Sequence, residues 1–167
     1  MLKFLALIVL GMATSFAIAE PIVIEAEDGQ NDAGNIIENE MASGGKHVEF
    51  SKTSKSKVCV IEFEVSADGT YQLWAEAQGL NGNADSFFVT IDKGEKLTWD
   101  VKHDKEKMVK QAMTQRYVKE DGKNSNKAII VELSKGKHSI KIANRESGAR
   151  LDKIYITQKG VNPFKKK

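Results

Sequence analysis

From Ile22 onward, apolar and polar residues alternate in short runs, with turn-forming residues between them. A period of two sends successive side chains to opposite faces of an extended strand. The runs cover residues 21–27 (PIVIEAE), 34–39 (GNIIEN), 46–51 (KHVEFS), 58–65 (VCVIEFEV) and 70–78 (TYQLWAEAQ). Further runs cover 85–92 (DSFFVTID), 97–101 (LTWDV), 127–134 (KAIIVELS), 138–144 (HSIKIAN) and 149–157 (ARLDKIYIT). Asp68-Gly69, Gly94 and Lys135-Gly136-Lys137 supply turn chemistry between neighbouring runs. Many short strands without a sustained helical period predict an all-β fold, an antiparallel β-sandwich.

The alternation also assigns faces. Cys59, Ile61, Phe63 and Val65 share one face, as do Tyr71, Leu73, Ala75 and Ala77. Trp74 then points outward beside Gln72, Glu76 and Gln78, and Phe88 outward with Ser86 and Thr90. One position breaks the rule. Asp152 falls on the face of Ile154 and Ile156, where a lone carboxylate is costly to desolvate. The lysine-rich stretch 101–127 departs from the rhythm too. It reads as a solvated excursion, with a short helix over 105–117 as the alternative.

Composition narrows the class. Within 167 residues, 41% are hydrophobic and 29% charged, and the net charge is +2, a balance that fits a soluble globular domain. Basic residues do not gather into one stripe, so nucleic acid is not an expected partner. The opening segment has Lys3, an apolar run from Phe4 to Gly11 and Ala17-Ile18-Ala19, the layout of a cleaved signal peptide. That run is short for a membrane span, and a secreted or periplasmic location follows. The boundaries are a signal peptide over 1–19, a β-sandwich domain over 20–158 and a frayed basic tail over 159–167. A single cysteine, Cys59, rules out an internal disulfide, which leaves a metal ion as the available staple.

Glu25 and Glu27 lie two apart on the first predicted strand, so both carboxylates project from one face. First and last strands often pair in sandwiches, which brings Asp152 to this pair. Three converging acids without a compensating arginine point to a hard cation held by oxygens. The segments IEAEDG, MASGGKHVEF, ADGTYQLWAEAQG, NGNADSFFVTID and RLDKIYIT occur in an order that resembles carbohydrate-binding modules of families 6 and 35. The resemblance spans most of residues 22–157 and implies a jelly-roll sandwich of the galactose-binding-domain type. It also implies a structural calcium ion held by Glu25, Glu27 and Asp152, with the carbonyl of Lys46 as a further ligand.

Sugars are gripped by aromatic rings over their C–H faces and by planar polar groups at their hydroxyls. The loop 78–86 offers Asn81, Asn83 and Asp85, Trp99 follows the next turn, and ANRESG adds Asn144, Arg145 and Glu146. In modules of the resembling kind, ligands lie on the loops at one end or across a concave sheet face. For the second location the candidates are Trp74, Glu76, Lys141 and Arg145. Arg145 and Arg150 suit either an acidic sugar or an internal acid. The stretch 101–127 lacks the tryptophans such modules often carry there. No histidine spacing indicates zinc, and no serine or cysteine sits in an activating motif. The expectation is therefore a non-catalytic module for a polysaccharide or oligosaccharide. The alternative is a calcium-stabilised scaffold for another exported protein.

Overall fold

The computed structural model describes residues 20–32, 34–51 and 58–165. The expected signal peptide, 1–19, and the tail lysines Lys166 and Lys167 lie outside these residues. No described helix is long and apolar enough to cross a membrane.

Two antiparallel sheets face each other. The first comprises β1 (Ile22–Glu25), β3 (Gly34–Glu38), β4 (Lys46–Phe50), β6 (Gly69–Gln78), β9 (Val109–Ala112), β12 (Ile130–Leu133) and β14 (Arg150–Gln158). The second runs in the order β2 (Gln30–Asn31), β5 (Val58–Val65), β13 (Gly136–Asn144), β7 (Ser86–Ile91) and β8 (Leu97–Asp100). A separate ribbon pairs β10 (Thr114–Val118) with β11 (Asn124–Ala128). This is the expected antiparallel β-sandwich.

Long central strands carry the first sheet. β6 and β14 pair along their lengths, from Arg150 opposite Gln78 to Gln158 opposite Tyr71. Each divides its other edge between two neighbours. β6 pairs with β12 over Gly69–Gln72 and with β9 over Trp74–Ala77. β14 pairs with β4 at Arg150 and Leu151, then with β1 from Lys153 to Ile156. Between those two partners the register slips by one residue, and Asp152 is the residue in the bulge. A bulge inserts a residue without turning the rest of the strand over. Leu151, Ile154 and Ile156 therefore all reach the core, and Asp152 leaves the alternation that seemed to strand it there.

The core lies between the sheets, where Phe50, Ile61, Leu73, Phe87, Ile140, Ile142 and Ile154 are buried. The Phe87 ring stands 4.9 Å from Phe50 and 5.4 Å from Trp99. Trp99 is 0% exposed, so its ring fills the core and is not a ligand surface. It belongs there because Leu97, Trp99 and Val101 alternate inward along β8 and the residue after it.

Three other expectations change. The stretch 101–127 forms β9, β10 and most of β11, neither a solvated excursion nor a helix. Gln111 and Met113 point inward from it while Lys110 is exposed, so period two persists under the lysines. The run 127–134 is two strands broken at Ile129, whose N–H donates to Met113 O at 2.9 Å. The described part of the tail turns back onto the sheet, with Lys159 N donating to Thr70 O at 2.9 Å. Trp99→Ala should lower the unfolding free energy by about 3–5 kcal/mol in urea denaturation. A loss below about 1 kcal/mol would contradict the core assignment.

Candidate metal centre and ligand surface

β1 ends at Glu25, and Ala26–Asp28 form a turn of 3-10 helix. Glu27 is therefore on the turn, not on the strand as its spacing implied. The turn still carries it to the seam where β14 exchanges β4 for β1. Carboxylate oxygens of Glu25, Glu27 and Asp152, one from each, lie within 4.8 Å of one another. Opposed ligands of one calcium ion stand about 4.6–5.2 Å apart, twice the usual metal–oxygen distance. Three buried oxygens here have no hydrogen-bond partner: Glu25 Oε2, Glu27 Oε2 and Asp152 Oδ1. Asp152 Oδ2 accepts from Ser43 N at 3.0 Å. The loop that brings this N–H turns through Gly44 and Gly45, at φ 63° and 77°. Glycine adopts that left-handed region at little cost.

The acids are not alone. Lys153 Nζ lies 2.9 Å from Glu25 Oε1, which also accepts from Ser43 Oγ at 3.1 Å. Lysine thus supplies part of the compensation that the absence of arginine seemed to deny. It does not reach the unpartnered oxygens' requirement: burial, then the charges of Glu76, Glu25 and Glu27, push the Asp152 carboxyl up to about 6. Burial, with Glu25 and Asp28 nearby, raises Glu27 as well. This donor set suits a hard divalent cation. Lys46 opens β4 at the end of the glycine turn, and its positive charge faces Glu27.

The loop-end candidates are mostly taken up within the fold. Asn81 Oδ1 accepts from Asn83 N at 2.9 Å and Asn81 O from Ala84 N at 2.9 Å, which ties off a tight turn. Asn83 remains exposed. Asn144 is buried, its Nδ2 donating to Ser51 O at 2.8 Å while its Oδ1 has no partner among the described residues. Arg145 pairs with Glu146 and donates to Ser86 Oγ at 2.7 Å. Glu146 Oε2 accepts from Ser86 Oγ at 2.6 Å, and Asp85 bonds to His103. The arginine is thereby committed to an internal acid. Arg150 is committed likewise, donating to Glu49 Oε2 at 2.7 Å and Gln78 Oε1 at 3.0 Å.

The outer face of the first sheet is different. Trp74 sits directly across from Tyr155 in the β6–β14 register, and both rings are half-buried. Trp74 Nε1 donates to Thr157 Oγ1 at 3.0 Å, and the Tyr155 hydroxyl donates to Glu76. Lys110 Nζ lies 3.7 Å from Glu76 Oε1. Phe164 of the tail packs edge-on against both rings, its centroid 5.9 Å from Trp74 and 5.0 Å from Tyr155. Lys141 lies on β13 in the other sheet, so it cannot share this face.

No protein-family model matches the sequence, and neither does any curated relative. Solved structures do match. A family 35 carbohydrate-binding module from Clostridium thermocellum aligns with a TM-score of 0.58 at 18% identity, over 81% of this chain and 98% of that one. The C-terminal CBM6 of a marine laminarinase from Zobellia galactanivorans gives 0.57 at 15% identity, over 83% and 100%. This chain has the fold of family 35 and family 6 carbohydrate-binding modules. The GH26-CBM35 β-(1,4)-mannanase of Podospora anserina gives 0.63 at 17% identity, and the match spans 87% of this chain but 29% of that enzyme.

On this carbohydrate-binding-module fold, sequence reasoning missed Tyr155, Lys110 and Phe164. Tyr155 was findable as the outward neighbour of Ile154 and Ile156, but its meeting with Trp74 needs the strand register. Phe164 carried a weaker signal, a lone aromatic in VNPFKKK. His103 was likewise unassigned beside Asp85.

At the loop end, two acids have been driven apart. Burial and the neighbouring Glu146 raise the Asp85 carboxyl, although His103 opposes this. Burial also works against Glu146, but hydrogen bonds from Ser86 and Asp85 and the charge of Arg145 hold it below the usual range. Carboxyl NMR titration should therefore protonate Asp85 before Glu146 as pH falls. Glu146→Gln should move the Asp85 midpoint downward by removing the like charge, and an unchanged midpoint would contradict the coupling.

Proposed function

We propose that the protein is an exported, non-catalytic carbohydrate-binding domain whose sandwich is closed by a structural calcium ion. The observation that carries the sugar reading is the outer sheet face, where Trp74 and Tyr155 stand side by side with Glu76 and Lys110 at their edge. Rings of this kind cover the C–H face of a pyranose, while the carboxylate and ammonium take its hydroxyls. The shared fold with carbohydrate-binding modules supports the same reading. Export is supported by the leader-like opening of the sequence.

The calcium reading rests on the three unpartnered buried oxygens. Glu25, Glu27 and Asp152 would hold the ion, with the Lys46 carbonyl as a further ligand from the glycine turn. When bound, calcium supplies positive charge beyond what Lys153 gives these acids, and it ties the first strand to the last. The acids cluster around one point, an arrangement for a cation. A glycosidase instead sets two carboxyl groups about 5–9.5 Å apart across a sugar.

Saturating calcium, at about a hundred times its dissociation constant, should stabilise chelator-treated protein by about 2.7 kcal/mol. In a domain of this size that is a rise of roughly 5–10 °C in thermal midpoint. Asp152→Asn should lose that gain and, under chelation, match or exceed the wild type because a buried charge has gone. An unmoved wild-type midpoint would refute the calcium site.

For the sugar, arrays of β-mannan, β-galactan, β-glucan and polyuronate oligosaccharides should give binding that Trp74→Ala weakens at least about tenfold. Absence of glycan binding by folded wild type would overturn the carbohydrate reading and leave a protein partner as the alternative.

A further inference from the structure

The tail from Lys159 to Lys165 crosses the Trp74–Tyr155 face. Resting on the carbohydrate reading of that face, we propose that this strap is a built-in competitor for it, with Phe164 standing where a sugar ring would stack.

The contacts support substitution of one ring for another. Phe164 is edge-on to Trp74 at 90° and to Tyr155 at 81°, so it lies across both aromatic neighbours at once. Lys110 Nζ stands 5.8 Å from the centre of the Phe164 ring, and the same ammonium faces Glu76 at 3.7 Å. Two aromatic walls and a cation above the ring are the groups expected to grip a pyranose. The strap has recruited them.

Its attachment is of a kind that can let go. The strap adds no strand to the sheet. Its root is fixed by Val161 N donating to Gln158 O at 3.1 Å and by Thr157 Oγ1 donating to Val161 O at 2.9 Å. Gly160, at φ 91°, turns the chain there and provides a hinge. Past Val161, the described hydrogen bonds are internal: Phe164 N to Asn162 Oδ1 at 2.9 Å and Lys165 N to Asn162 O at 3.3 Å. Pro163 has no N–H to offer. Beyond its root, the strap's described ring contacts with the face all run through Phe164. Its departure would leave the sheet intact.

A ligand that needs the open face meets only the open fraction of molecules, so the strap weakens apparent affinity by that fraction. The test uses the whole mature protein carrying Phe164→Ala, with Phe164→Leu as a second variant that keeps apolar bulk but removes the ring. Acrylamide quenching of tryptophan emission reads the cover directly, because Trp99 is 0% exposed and Trp74 alone is reachable. Quenching should rise about twofold or more in Phe164→Ala once the aromatic edge is gone. Calorimetric titration with β-1,4-mannotetraose, β-1,3-galactotriose, laminarihexaose and trigalacturonate should then give affinity about fivefold or more above wild type, with Phe164→Leu between them. If a sugar binds wild type and Phe164→Ala equally, or the variant more weakly, the competitor is refuted while the carbohydrate reading stands. If quenching rises but neither protein binds any of the sugars, the carbohydrate reading itself falls and takes the competitor with it.

Discussion

The pairing of β14 governs this molecule, because one strand has to serve three neighbours. β6 occupies one edge throughout, and the other edge passes from β4 to β1 part-way along. A strand that changes partners risks a gap in the ladder, and backbone groups left unpaired there would be costly. The bulge at Asp152 resolves this locally. It keeps Leu151 and Ile154 both inward and lets the Asp152 carboxylate take the Ser43 N–H at the seam. The consequence is electrostatic: the seam is also where Glu25 ends β1 and the next turn delivers Glu27. Topology thus concentrates three acids at the one place where the first and last strands meet, with Lys153 and Lys46 near them among the described residues. A cation at that point would act on the fold as a crosslink between the two ends of the domain, in a chain whose single cysteine cannot supply one.

β6 answers β14 with a junction of its own. Its free edge passes from β12 to β9, and at the changeover Leu73 donates its N–H to Ile129 and accepts at its carbonyl from Met113. Both amide groups stay paired, so Leu73 needs no bulge and remains in the core. The outer face of β6 consequently keeps strict alternation, and Gln72, Trp74 and Glu76 stand in line. Because the β14 slip lies beyond Lys153, Tyr155 keeps its place opposite Trp74. The aromatic pair depends on the register that the bulge sets.

How far these features were legible follows from where period two survives. It survives along β5, β6, β7 and β13, and there faces could be read directly from Cys59–Val65 and Tyr71–Ala77. The same period also placed Trp99 with Leu97 and Val101, and Asn144 with Ile140 and Ile142. Those two were candidates for sugar only while chemistry was weighed ahead of alternation. Asp152 was legible as an anomaly, though the bulge was not, since a bulge is a relation between two strands. Glu27 was misplaced because a short turn of 3-10 helix after a strand carries no distinct pattern. The stretch 101–127 was obscured because its buried positions include Gln111 and Met113 among lysines, a weak apolar contrast. Gln111 is tolerated inside because its amide reaches Ala77 O and Val109 O while its carbonyl takes Lys102 N–H.

The strap and the last strand are neighbours in sequence, yet they differ in how firmly the fold holds them. β14 buries Leu151, Ile154 and Ile156, each contributing about 1.5–3 kcal/mol on leaving water. It also hydrogen-bonds on both edges, so it cannot leave without unfolding the domain. The strap has two edge-on aromatic contacts of about 0.5–1.5 kcal/mol each and one exposed cation–π contact of about 0.5–1 kcal/mol. Against these stands the entropy of ordering several residues, about 1–2 kcal/mol apiece for the backbone. The strap's contacts are thus far weaker than the burial and paired edges that hold the strand. Gly160 marks the boundary between them, and opening at that hinge exposes Trp74 and Tyr155 without disturbing the register that placed them together.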